Sequence, residues 1–224
     1  MSGLLISVLL TLIRIYTILL DSVKYTLISE TCMKEIVIYG GSFNPLHNGH
    51  DTIIRQCTRR REYDAVWVMP SAKRYDKPNL IDDEVRLDML HQYHNALPQA
   101  IAAKVVISDF EVELGAPSET VRTHTALVRQ YRGYNFTYVF GADALAGVRK
   151  WRGGASLLQD LTIVAVTRDG NRPEGIQLKN VIELEGTDTI SSTTIRKLRR
   201  CKQPIQRYVP TVIATYIHQH ALYE

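Results

Sequence analysis

The sequence predicts an α/β protein: a single Rossmann-like domain in which a parallel sheet is flanked by helices. Three observations predict it. From residue 34 onward, short apolar runs alternate with stretches whose apolar residues recur at helical spacing. Strands that alternate with helices pair in parallel through crossovers. And a glycine-rich stretch, GGSFNPLHNGH (40–50), leaves the first apolar run and opens the first helix, a position where free N–H groups and the helix dipole favour an anion.

The elements follow in order. EIVIY (35–39) is the first strand, and GHDTIIRQCTRRR (49–61) the first helix. AVWVMP (65–70) is a strand ended by Pro70. Residues 81–97 form a helix, with Val85, Leu87, Leu90 and Tyr93 near helical spacing and acids in the first turn. KVVISDFEV (104–112) reads as a strand and SETVRTHTALVRQY (118–131) as a helix capped by Ser118. NFTYVFG (135–141), LTIVAVT (161–167) and VIELE (181–185) are strands, the first two separated by a short helical region. Helices over 191–200 and about 209–222 close the chain, the last with Val209, Val212, Ile213, Tyr216 and Ile217 on one face. The loops 71–79 and 168–175 are long and polar. No internal repeat or low-complexity segment is present, and no second domain is read.

Bulk properties narrow the function. The 224 residues are 45% apolar and 22% charged, which suits a soluble globular domain with a real core. A net charge of +4 fits an anionic small-molecule substrate, and the short basic runs do not make a nucleic-acid surface. Cys32, Cys57 and Cys201 show neither metal spacing nor a disulfide framework, so a reduced, cytoplasmic setting is expected.

Residues 1–33 differ from the rest. LLISVLLTLIRIYTILL (4–20) is almost wholly apolar but slightly short for a membrane span. Arg14 inside it costs about 2.5–3.5 kcal/mol on insertion scales. The segment reads as a dispensable apolar extension ahead of a domain over 34–224, and membrane contact through 4–20 is the disfavoured alternative. Nothing in the sequence signals an oligomeric state.

The glycine-rich stretch resembles the G-G-T-F-D-P-x-H-x-G-H signature of the H-x-G-H nucleotidyltransferase superfamily. ISSTTIR (190–196) is similar to the I-S-S-T-x-x-R motif of its adenylyltransferases. GADALAGVRKW (141–151), PSETVRTHTAL (117–127) and YVPTVIATYIHQHALY (208–223) resemble segments of bacterial nicotinate-nucleotide adenylyltransferases, in the same order along the chain.

That resemblance implies adenylyl transfer from ATP to a pyridine mononucleotide, giving the dinucleotide and pyrophosphate in NAD biosynthesis. Catalysis then rests on positioning and charge neutralisation. It implies His47, His50 and Arg196 as catalytic residues. It implies ATP contacts from Gly40, Gly41, Ser42, Phe43, Gly141, Asp143, Ile190, Ser191, Ser192 and Thr193 as well. Lys77, Thr120 and Trp151 are implied on the acceptor side, Trp151 stacking on the pyridine ring. No resident metal is implied; Mg²⁺ enters with the triphosphate.

Each residue also has a plainer reading. The glycines and Pro45 suit a tight turn, and His47 and His50 suit a surface pair. Asp143 suits a helix cap, Trp151 a core aromatic, and Arg196 and Lys77 solvated surface positions. His50–Asp51 also hints at a metal phosphohydrolase. Departures bear on the acceptor. Asn44 stands where Asp is usual, Glu119 where Tyr is usual, and SAKRYDKP (71–78) where P-P-H-K is expected. The rival readings are a phosphopantetheine adenylyltransferase, a cytidylyltransferase, a fragment of a class I aminoacyl-tRNA synthetase, and a non-catalytic nucleotide-binding module. A carboxylate at Glu119 is expected to repel nicotinate and favour the amide.

Overall fold

The computed structural model describes residues 33–72, 80–168 and 175–224. The apolar extension before Met33, the candidate Lys77 with its neighbours Lys73 and Arg74, and residues 169–174 of the 168–175 loop lie outside the described residues.

Six strands form one parallel sheet: β1 (Lys34–Gly41), β2 (Ala65–Pro70), β3 (Val105–Ile107), β4 (Tyr134–Gly141), β5 (Thr162–Arg168) and β6 (Asn180–Leu184). Their spatial order is β3-β2-β1-β4-β5-β6. The chain builds outward from β1 through β2 and β3, then returns to the free edge of β1 with β4. The order therefore reverses between β1 and β4, and in such sheets ligands sit at the carboxyl ends of the strands on either side of the reversal. Ile36 is level with Ala65 on one side and Phe136 on the other, so β1 and β4 end together at their glycines.

The four central strands, β1, β2, β4 and β5, bury both faces, and the pleat sorts their residues between two cores. Val37, Tyr39, Val66, Val68, Val139 and Val166 enter one. Helices α1 (Asn48–Thr58), α2 (Asp83–Asn95), α8 (Ser192–Arg200) and α9 (Thr211–Gln219) cover it through Ile54, Leu90, Ile195 and Ile213. Ile36, Ile38, Trp67, Met69, Tyr138 and Ile163 enter the other. That face is covered by α4 (Phe110–Leu114), α5 (Thr120–Gln130), α6 (Ala142–Ala146) and α7 (Gly154–Asp160), using Phe110, Leu127, Leu145 and Leu157. The remaining helix, α3 (Gln99–Ala102), is one turn before β3.

Two elements differ from the sequence expectation. The strand read over 104–112 stops at Ile107. Ser108 then turns the chain, its hydroxyl accepting from the Phe110 N–H at 3.4 Å, and α4 begins. The apolar pattern fits either period over so short a span, and β3 is an edge strand paired only with β2. Ser118 does not cap α5. Glu119 takes the N-cap position, and the Ser118 hydroxyl donates instead to the Glu111 carboxylate. Among the described residues no helix is long and apolar enough to cross a membrane.

Candidate active site

The site is built on the carboxyl ends of β1 and β4. Gly40 and Gly41 end β1, and Gly41 O accepts from the Ser71 N–H at 2.8 Å, which ties the loop after β2 to it. A Cβ on Gly41 would lie 3.1 Å from the Phe43 ring, whereas one on Gly40 would meet no protein atom within 4 Å. Phe43 needs that room. Its backbone sits at φ 43, a region rarely used by non-glycine residues, and its ring is buried. The ring lies edge-on beneath the His50 imidazole with centroids 5.0 Å apart. Phe43 therefore supports the site from below, and only its backbone is placed to reach a ligand.

His47 is the N-cap of α1, with extended backbone, and His50 lies in the first turn. The His47 backbone N–H donates to His50 Nδ1 at 3.1 Å. The two rings stack with centroids 3.7 Å apart. Burial and the nearby Arg168 guanidinium lower the His47 pKa to about 4. Burial, then His47 and Arg168, push His50 well below the ordinary histidine value. Both imidazoles are thus neutral at pH 7. Because Nδ1 of His50 accepts a hydrogen bond, its proton is on Nε2, so His50 offers one fixed N–H donor. Gly49 between them is required by packing: a Cβ there would fall 2.2 Å from the backbone oxygen of Asp188. The absence of a side chain lets α1 lie against the turn Gly186–Thr189 that leads into α8.

A cavity of about 270 Å³ opens over these histidines, lined also by Tyr39, Gly141, Asp143 and Arg168. Gly141 is the N-cap of α6 and Asp143 lies in its first turn. Arg168 escaped the sequence reading. It ends β5, and the one signal was its position where a predicted strand meets a long polar loop. Asp51, whose neighbour His50 hinted at a metal site, is committed elsewhere. Its carboxylate accepts from Arg55 Nε at 2.8 Å and from the Tyr93 hydroxyl at 2.6 Å.

The N-terminus of α8 docks on the back of the same loop. Ser191 caps α8, its hydroxyl accepting from the Thr194 N–H at 3.1 Å. Ser192 Oγ donates to Pro45 O at 2.9 Å. Arg196 Nη1 donates to Asn44 O at 2.8 Å, and Nη2 donates to Thr193 Oγ1 at 3.2 Å. Ile190 packs half-buried on the core. Ser191, Ser192, Thr193 and Arg196 stand beside the histidine cavity rather than in its wall. In this arrangement Arg196 grips the loop, and part of its fork is already engaged.

A second cavity, of about 520 Å³, lies on the other side of the switch point and is lined by Gly40, Gly41, Ser42, Thr120, Phe140 and Trp151 among others. Trp151 is half-buried, its indole edge-on to Phe140 with ring centroids 5.6 Å apart. At the mouth Arg152 Nη1 lies 3.6 Å from Glu119 Oε2. Arg86, also missed in the sequence, is fully buried beneath this cavity. Its guanidinium donates to Ser42 O at 3.0 Å, to Ser71 O at 2.7 Å and to Asp83 Oδ1 at 2.6 Å. It thereby joins the two loops that form the floor. Its signal was a lone arginine within the α2 sequence, which reads equally as a solvated residue.

The arrangement has known counterparts. The profile of the cytidylyltransferase-like family matches residues 38–198. A probable nicotinate-nucleotide adenylyltransferase of Flavobacterium johnsoniae is 31% identical over 196 residues, covering 85% of this chain and 99% of the relative. The nicotinate-nucleotide adenylyltransferase of Bacillus subtilis is 29% identical over 197 residues, covering 86% and 100%. In fold, the nicotinic acid mononucleotide adenylyltransferase of Plasmodium falciparum, solved in complex with NaAD, superposes with a TM-score of 0.76 at 23% identity, over 85% of this chain and 97% of that one.

Proposed function

Since the chain belongs to the cytidylyltransferase-like family, and within it to the nicotinate-nucleotide adenylyltransferases, we propose that its two cavities hold the two substrates of adenylyl transfer in NAD biosynthesis. The observation that carries this reading is the pairing of the cavities across the β1–β4 switch point. One holds fixed neutral imidazoles and a guanidinium suited to phosphates; the other holds an indole suited to a flat ring.

ATP takes the histidine side. A phosphate oxygen of nicotinate mononucleotide, or its amide, attacks the α-phosphorus. The new P–O bond forms as the bond to the bridging oxygen breaks, and pyrophosphate leaves with that electron pair. The acceptor is already anionic, so no covalent intermediate on the protein is needed. His50 donates Nε2–H to the oxygen on which charge grows, and Arg168 offsets the charge of the leaving group. The dipole of α8 and the hydroxyls of Ser191 and Thr193, beside the cavity, support the outer phosphates, while Ser192 holds the loop through Pro45 O. Asp143 is placed for the ribose. Trp151 and Thr120 hold the acceptor. The rest of the candidate set acts through the backbone at Gly40, Gly41, Ser42, Phe43 and Gly141.

Mg²⁺ fits this site as an ion carried in on the triphosphate, which it screens. Among the described residues, Asp143 is the one carboxylate lining the histidine cavity, and no cluster of three or more metal-ligating side chains forms. A cytoplasmic location accords with the cysteine pattern and a nucleotide substrate.

The test is a pyrophosphate-release panel with ATP or CTP against nicotinate mononucleotide, nicotinamide mononucleotide and phosphopantetheine. Turnover with ATP and a pyridine mononucleotide is expected. Turnover with phosphopantetheine alone would overturn the acceptor assignment, and no turnover with any pair would overturn the enzyme reading.

A further inference from the structure

We propose that Tyr223 is a positioning residue for the ATP side of the site, acting through Asn44. Its hydroxyl donates to Asn44 Oδ1 at 2.8 Å, and Asn44 is buried within the glycine-rich loop. The carbonyl of the same Asn44 accepts from Arg196, and the next carbonyl, that of Pro45, accepts from Ser192. Three fastenings therefore converge on two consecutive residues. Two come from α8 and reach only the backbone; the third comes from the segment after α9 and fixes the side chain.

That segment is held in an unusual path. Ala221 and Tyr223 lie at φ 48 and φ 64, in the left-handed region that non-glycine residues persist in only when surrounding contacts over-determine them. The contacts are present. Leu222 N–H donates to Ile217 O at 2.9 Å, Leu222 and Tyr223 pack on the core, and Glu224 pairs with Arg199 of α8. Burial raises the phenol above its ordinary pKa, against the pull of Arg196 and Arg86. The hydroxyl thus keeps its proton and remains a donor across the physiological range. Asn44 leads through Pro45 and Leu46 directly to His47, so freedom at Asn44 reaches the cap of α1 and the imidazole stacked on it.

The inference rests on the functional reading above, because it assigns the ATP side to this loop. It is tested by titrating a non-hydrolysable ATP analogue into the wild-type chain, Tyr223→Phe, Asn44→Ala and the double variant, with a melting curve for each. Tyr223→Phe is expected to weaken analogue binding about tenfold, the scale of one buried hydrogen bond. The KM for the acceptor is expected to stay within twofold. Asn44→Ala should weaken binding as much, and the double variant no more than either single. Asn44→Asp, which keeps an acceptor for the phenol, should restore binding. Unchanged affinity in Tyr223→Phe overturns the proposal, as does strict additivity in the double variant. Should Tyr223→Phe not fold, the contrast between Asn44→Ala and Asn44→Asp decides: equal affinities overturn it. A wild-type chain that binds the analogue but transfers to no pyridine mononucleotide overturns the acceptor assignment and leaves this inference standing.

Discussion

The backbone N–H of His47 donates to Nδ1 of His50 at 3.1 Å. This one bond fixes the tautomer, because an accepting Nδ1 puts the proton on Nε2, and it holds the ring at the first turn of α1. The donor is in place before any phosphate arrives, so no reorganisation is needed at the moment of reaction. His50→Ala removes it. Losing one such preorganised donor costs roughly 2.7–4 kcal/mol of transition-state stabilisation, or about 10²–10³ in kcat. A kcat within threefold of wild type would sink the assigned role.

The two histidines also shape stability against pH. The folded pKa of His47 is about 4, against 6.5 for the unfolded chain. Between these values the unfolded state binds more protons. Stability is therefore complete above about pH 6.5 and falls as pH drops toward 4. For His47 the loss between pH 7 and pH 5 comes to about 2 kcal/mol, and His50 acts in the same direction. Denaturant unfolding at the two pH values checks it. Replacing His47 by Asn should shrink the difference between them. An unchanged difference would show that other groups carry it.

Gly40 and Gly49 set a proposed ligand contact against a packing contact within one motif. A Cβ on Gly49 would meet Asp188 O at 2.2 Å, so Gly49→Ala must push α1 from the turn ahead of α8, at about 1–3 kcal/mol. A Cβ on Gly40 meets nothing within 4 Å. Gly40→Ala should therefore melt like wild type and yet raise KM for a substrate. The pair of melting curves with the pair of KM values is the measurement. A large Tm loss in Gly40→Ala would contradict the assignment.

Much of this was legible in the sequence, for identifiable reasons. Buried parallel strands read as continuous apolar runs, so β2, β4 and β5 stand within a residue of their expected limits, and β1 runs two residues further, through Gly40 and Gly41. The motif around His47 and His50 is local, and local spacing survives folding. Legibility failed where the cause is long-range. β3 ends after three residues, where the chain turns into α4, and no local pattern announces that turn. Arg86 and Arg168 matter through partners far along the chain, and a lone arginine carries no spacing to read. Tyr223 meets Asn44 across 179 positions. Gly49 sat in plain view, but its reason, the carbonyl of Asp188, lies beyond the motif.

Arg196 reaches the site through the loop it holds. The resemblance implies a catalytic Arg196, and in the structure its Nη1 already holds Asn44 O and its Nη2 holds Thr193 Oγ1. Arg196→Lys cannot span both, because an ammonium lacks the planar fork. It should raise the KM for ATP about tenfold or more and alter the acceptor KM little, since the second cavity is built by other residues. Equal changes in both KM values would show that Arg196 supports the fold as a whole.

The acceptor's head group is the last test. Taken alone, Glu119 is expected to repel the carboxylate of nicotinate. In the structure, Arg152 stands 3.6 Å from it, at the mouth of the cavity that Trp151 lines. The pair is largely exposed on the arginine side and worth little to stability. On the proposed reading its effect on a charged ligand is different, because it contributes to the charge that the pyridine ring meets beside Glu111. With the pair intact, Arg152 masks Glu119, and the bias toward the amide is small. Arg152→Ala uncovers the carboxylate and should move the ratio of kcat/KM values toward nicotinamide mononucleotide. Glu119→Gln leaves Arg152 unpaired and should move it toward nicotinate mononucleotide. Shifts of several-fold in opposite directions are expected, on the scale of about 1 kcal/mol for a screened surface charge. Trp151→Ala serves as the reference: it removes stacking worth about 0.5–2 kcal/mol from either ring and should raise both acceptor KM values with little change in their ratio. Should Arg152→Ala and Glu119→Gln shift the ratio the same way, the head group is read elsewhere, and the backbone around α5 becomes the place to look.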